Sequence, residues 1–341
     1  MGRQGVVLIV ALTAALAVVG GAFAAPTPEF DVIAFSTTPG KVAETELELF
    51  FPPSAPAPAQ AHIGVPIGYS LASTTLGSTV AEAFVDVVVV GKTQHLKGNV
   101  IVDDPSRYAT EACAPGTHAA VWVVYLTVSG EPYVIPLFVD PTSGTDALNN
   151  AYTIQTCFLS PDAPAGGAPA GARITEFDLD FDAMFRNPSS QDYYRWSTLV
   201  TPFASGSATP DPAATFELRS TVTIPEHLTI KASFDKKRRV SVISGRLTAI
   251  NKPEKGIDVD IYGAGSLFGD FKRLASVKTD ASGNYVVRKR FAHTMWVAPY
   301  VPIYLGKCDT PPSLAPAGCP LQTWSSVIGP VVPAMVPAKR R

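Results

Sequence analysis

Proline sets the first limit on this chain: 31 of its 341 residues are Pro, about twice the usual share of roughly 5%. A proline inside a helix removes a backbone donor and clashes with the preceding turn. Beyond residue 24, no window of a dozen residues sustains the i, i+3, i+4 apolar stripe that a surface helix needs. What recurs instead is alternation with a period of two. Thr45-Glu46-Leu47-Glu48-Leu49-Phe50 and Thr175-Glu176-Phe177-Asp178-Leu179-Asp180-Phe181-Asp182 each place polar and apolar side chains on opposite faces, the pattern of a half-buried strand. Phe84 to Val90, Val121 to Val128 and Tyr133 to Val139 are nearly continuous apolar runs, as expected of strands covered on both sides. Gly130-Glu131-Pro132 between the last two fits a hairpin. The 31 Pro and 26 Gly stay below the share of roughly 25 to 30% that marks a disordered chain. An all-β fold with long loops follows, and the length suggests two β-sandwich domains.

Residues 1–24 have the layout of a secretory signal peptide. Arg3 precedes an apolar run from Val6 to Val19, and Ala22-Phe23-Ala24 fits the small-residue cleavage pattern. The alternative is a retained membrane anchor. Cleavage after Ala24 makes the product secreted or held in the cell envelope, and the later apolar run Val327 to Val336, broken by Pro330 and Pro333, is too short to span a bilayer. An oxidising destination lets disulfides persist. The four cysteines allow three pairings, of which Cys113 with Cys157 and Cys308 with Cys319 keep each bond within one proposed domain.

Charge divides the exported chain. Residues 25–218 hold 7 basic and 21 acidic side chains, a net of −14, whereas residues 219–341 hold 19 and 8, a net of +11. The expected domains are therefore an acidic N-terminal β-sandwich over 25–216, a basic β-sandwich over 217–307, and a Pro-rich, disulfide-looped segment over 308–341. Such asymmetry holds domains against each other or steers an outside polyanion to the basic half.

Within that basic half, Ser244-Gly245-Arg246-Leu247 opens a strand, and Lys255-Gly256 precedes another from Ile257 to Tyr262. Thr279-Asp280-Ala281-Ser282-Gly283-Asn284-Tyr285 reads as a tight turn, with Asp280 and Ser282 bonding local amides and Gly283 taking positive φ. These motifs, over some fifty residues, resemble the transthyretin-like, carboxypeptidase-regulatory-like class of bacterial Ig-type β-sandwich modules. The resemblance implies a spacer, adhesive or accessory module and carries no catalytic residue. The N-terminal half resembles no family we can name.

Candidate chemistry is sparse. Asp178, Asp180 and Asp182 begin like an EF-hand loop, but Ala183 and Ser189 stand where that loop needs Gly and Glu. Their spacing puts all three on the wet face of one strand, a solvated surface. A calcium site of another kind, or a glycosidase carboxylate pair, is the alternative. Gly68-Tyr69-Ser70-Leu71-Ala72 mimics a nucleophile elbow without the helix that must follow. The five histidines are scattered without zinc-ligand spacing, so no metal, cofactor or catalytic residue is expected. Lys236-Lys237-Arg238-Arg239 and Arg288-Lys289-Arg290 are either edge charges that block strand aggregation or contacts for an anionic envelope polymer. Nucleic acid is disfavoured outside the cell. Tyr193, Tyr194 and Trp196 are either core or a glycan platform, and alternation sets Tyr193 opposite Tyr194 and Trp196. The expectation is a non-enzymatic interaction or scaffold protein that contacts such a polymer or another surface protein; the rival is a carbohydrate-active protein using the acidic strand and these aromatics.

Overall fold

The computed structural model describes residues 27–89, 91–128, 131–161, 172–267, 269–302 and 327–336. The signal segment and the Cys308–Cys319 pair lie outside them. The described residues are strands joined by loops and three short 3-10 turns, with no α-helix among them. Among the described residues, no helix is long and apolar enough to cross a membrane. They divide into two units, one ending at Pro225 and one beginning at Glu226.

The first unit holds β1 (Glu29–Ala34), β2 (Val42–Phe50), β3 (Pro58–Pro66), β4 (Ser70–Leu71), β5 (Thr79–Val89) and β6 (Lys92–Asp103). It continues with β7 (Ala120–Val128), β8 (Glu131–Pro141), β9 (Asn150–Cys157), β10 (Arg173–Arg186), β11 (Asp192–Pro202) and β12 (Phe216–Ile224). All twelve form one antiparallel sheet in the order β1-β2-β10-β5-β6-β7-β8-β9-β3-β11-β12, with β4 attached to β10. The sheet curls until its two edges meet. There Ser220 Oγ on β12 accepts from the Val32 amide (3.0 Å) and donates to Asp31 Oδ1 (3.1 Å) on β1. Curling places the inward side chains of every strand around one core, among them Leu47, Leu49, Trp122, Phe177, Phe181, Phe185 and Trp196. Because β12 pairs with β11 at nine positions, residues 217–224 belong to the acidic unit, and the basic unit starts at Glu226 rather than at the expected residue 217.

The apolar run of β7 has its physical reason here. Trp122 and Val124 face the main core, whereas Val121 and Val123 face outward and are buried with Phe138 and Ala114 under the loop between β6 and β7. That loop is fastened by the Cys113–Cys157 disulfide, whose Cα atoms are 6.1 Å apart. His118 adds a second tie, with Nδ1 2.7 Å from Asp140 Oδ2 and Nε2 2.9 Å from the Ala114 carbonyl.

The second unit contains β13 (Glu226–Leu228), β14 (Lys231–Asp235), β15 (Val240–Ala249), β16 (Lys252–Pro253), β17 (Asp258–Ala264), β18 (Lys272–Lys278), β19 (Asn284–Lys289), β20 (Met295–Val301), β21 (Val327–Ile328) and β22 (Val332–Ala334). One sheet is centred on β15, flanked by β13, β14, β16 and β19; the other runs β18-β17-β20, with β21 and β22 on β20. Ile243, Leu247 and Tyr285 from the first share a core with Val259, Ile261 and Val297 from the second, which makes a β-sandwich. Residues 327–334, expected in a separate C-terminal segment, complete its second sheet.

The expected turn forms at Asp280, whose Oδ1 accepts from the amides of Ser282 (2.8 Å) and Asn284 (2.9 Å), with Gly283 at φ +73°. Tyr285 then re-enters the core and donates to the Thr229 carbonyl at 2.6 Å. Ser244 to Leu247 do not open a strand; they lie inside β15. Gly245 is required there, since a Cβ would collide with the Thr229 carbonyl and the Tyr285 hydroxyl.

Candidate functional site

Each unit carries one charged face, and sheet pairing builds both. On the first unit, β2 pairs with β1 and β10, and β10 with β5. Register sets Glu48 beside Asp31 and Asp178, Glu46 beside Asp180, and Glu176 beside Asp86. Two acids from β1, three from β2, four from β10 and two from β5 thus put eleven carboxylates on one outer face. Among the described residues, its basic partners sit at the β6 border: His95 Nδ1 lies 2.6 Å from Asp86 Oδ1, and Lys97 Nζ 2.9 Å from Glu82 Oε2.

This corrects the expectation of a solvated Asp178, Asp180 and Asp182. Only Asp182 is exposed; the other two are half-buried among acids from neighbouring strands, each with one oxygen sealed from solvent and without a hydrogen-bond partner among the described residues. Burial, reinforced by Asp180 and Asp31, pushes the Glu46 carboxyl up to about 7. Burial and then Asp31 push Glu48 up to about 8, and burial beside Glu48 and Glu176 raises Asp178 as well. Oxygens of Glu48, Glu176 and Asp178 lie within 4.8 Å of one another. Three oxygens can touch a hard cation, but calcium takes six to eight, so this set alone is an incomplete shell.

On the second unit, the β14–β15 turn is Lys236-Lys237-Arg238-Arg239. Asp235 Oδ1 caps it by accepting from the amides of Lys237 (2.9 Å) and Arg238 (3.0 Å), and Arg239 closes it at φ +56°. β19 pairs with the other edge of β15, with Arg288 opposite Val242. Arg290, just past β19, donates to the Arg238 carbonyl at 3.5 Å. Two clusters fifty residues apart therefore meet at one end of one sheet. Lys289 departs from its group: it points between the sheets, half-buried, and its Nζ donates to the Leu274 carbonyl at 2.6 Å. The other six are exposed and form no ion pair among the described residues. Lys231 and Arg246, exposed on the same outer face, were missed by sequence reasoning because each stands alone in the chain.

The aromatic platform does not assemble. Trp196 is fully buried and packs edge-on against Tyr69 and Phe185, with centroids 5.1 and 5.3 Å away. A glycan contact at Trp196 is thereby overturned. Tyr194 is half-buried on Tyr69, and Tyr193 keeps an exposed edge. Their strand, β11, shares no ladder with β10 and its acids. Ser70 lies in β4, paired with Arg186 on β10, and no helix follows it, so it is no nucleophile elbow.

No protein-family model matches the chain, and no curated protein matches it. Among solved structures it is similar to the D0-D1 domain of intimin, at 8% identity over 89% of this chain and 97% of that one, with a TM-score of 0.22. It is also similar to the group B streptococcus pilus 2b backbone protein, at 11% identity over 88% and 95%, with a TM-score of 0.21.

Proposed function

We propose that this chain is an exported, non-enzymatic interaction or scaffold protein of the cell envelope, and that the basic end of its second unit holds it to an anionic envelope polymer. One observation carries the reading: Lys236, Lys237, Arg238, Arg239, Arg288 and Arg290 converge at one sheet end, exposed and without ion pairs among the described residues. Exposed cations answered inside the fold would be structural; cations left to solvent attract outside anions. The leader pattern and the Cys113–Cys157 bond suit an oxidising location.

Retention of the mature protein on immobilised linear polyphosphate tests the reading. The chain should elute at moderate salt, and replacing Lys236, Lys237, Arg238 and Arg239 by Ala should weaken binding about tenfold or more, because each lost cation removes one charge contact. Equal retention of the wild type and the variant would refute it.

A further inference from the structure

We propose that the outer face of β14, β15 and β19 is a linear track for an extended anionic polymer, running from the basic hairpin to a polar depression at the far end of the same face. The proposal rests on the polyanion reading above and adds a length, a direction and a second anchoring point.

The ladder registers define the track. Ser244 pairs with Lys231 on one side and Val286 on the other; Val242 pairs with Ser233 and Arg288; Arg246 pairs with Asn284. Burial alternates along all three strands, with Ile243, Leu247 and Tyr285 inward and the residues just named outward. Successive outward rows in a sheet are about 7 Å apart, two residues at roughly 3.4 Å each. Arg246 marks the first row, Lys231 the second and Arg288 the third, and the hairpin with Arg290 lies beyond. One cation per row over about 20 Å is more than a compact anion can use. It suits a chain with a charge on each repeat.

The far end is shaped. A depression of about 530 Å³ opens there, lined by Thr229, Lys231, Ser244, Arg246 and Asn284 with Val286. Arg246 Nε is spent on the Ser282 carbonyl (3.0 Å), while its terminal nitrogens make no hydrogen bond among the described residues. The acid on this depression, Asp280, is occupied by the Ser282 and Asn284 amides. At the hairpin end Asp235 is occupied in the same way. Both acids of the face cap turns, and although Asp280 also feels the charge of Arg246, the two are outnumbered by the exposed cations Lys231, Arg246, Arg288, Arg290 and the four of the hairpin. Ser244, Ser233 and Asn284 supply neutral donors between the charges, as a polymer with hydroxyls or bridging oxygens would use.

The shared chemistry of the ligand is a regularly spaced anionic oxygen, from phosphate or carboxylate. Titration of the mature protein with linear polyphosphates and with oligogalacturonates of graded length separates these sources; tighter binding by either set identifies it. Affinity should rise with length until the oligomer spans about 20 Å, then level off. Replacing Lys231 with Gln and Arg246 with Ala should weaken long oligomers by about three- to tenfold while leaving the shortest unchanged, since a short chain seated on the hairpin never reaches them. K231Q alone, at an exposed side chain, serves the same purpose if the double variant is destabilised. Length-independent affinity, or unchanged binding of long oligomers to these variants, would overturn the track and leave the hairpin reading intact. Failure of the wild type to bind either polymer would overturn both.

Discussion

The acidic face of the first unit and the basic face of the second are built by the same alternation, yet they stand in opposite relations to solvent. The acids are half-buried and crowd one another across three ladders, so Glu46 and Glu48 hold their protons to about 7 and 8. The cations lie on the outer face of β14, β15 and β19, where Asp235 and Asp280 are tied into turns, and they remain exposed. Charge on the first unit therefore opposes its own fold, whereas charge on the second is free to act on something else.

The largest effect separates what lies under the first sheet from what lies on it. Trp196→Ala should cost about 3–5 kcal/mol in denaturant unfolding, the range for emptying a large aromatic site. A loss near zero would mean that Trp196 is a surface aromatic after all and would reopen the glycan platform.

Next comes the acidic face itself. The unfolded chain ionises these carboxylates near their ordinary value of 4.5, whereas the folded face keeps Glu46 and Glu48 protonated to about 7 and 8. Folding then favours bound protons, so stability is highest at acid pH and is lost as pH rises from about 4.5 to about 8. Glu48→Gln should recover about 2 kcal/mol of that loss at pH 8, discounted from the full shift for partial exposure, and nothing at pH 4. A stability profile that rises between pH 5 and 8, with the variant parallel to it, would show that the face is solvated like the basic one.

The smallest effect is expected on the basic side. Removing the four hairpin cations should change unfolding stability by less than about 0.5 kcal/mol, as usual for exposed charges, even though it abolishes most polymer retention. A large stability change would make these residues part of the fold rather than a contact surface.

Much of this was legible in the chain. Glu46 and Glu48, like Asp178 and Asp180, announce a one-sided strand because alternation is a local property. The Asp280–Gly283 turn was legible for the same reason, since its donors and acceptors lie within five residues. The acidic face was not. Nothing near residue 48 names residue 178 as its neighbour, and acids on both strands argue against pairing if charge alone is weighed. The apolar undersides Leu47, Leu49, Phe177 and Leu179 decide it, since each buried large side chain stabilises by roughly 1.5–3 kcal/mol. Trp196 was ambiguous because alternation says which residues share a face but not which face is inside.

The sequence by itself determined that this protein is pleated, proline-punctuated and divided by charge, because each follows from residues close together in the chain. Only the tertiary structure decided which strands became neighbours. That choice turned a solvated acidic strand into a proton-holding cluster and joined two separate basic runs, with Lys231 and Arg246, into one face. Ladder register couples residues far apart in sequence, and it is set by the apolar sides the strands must bury together.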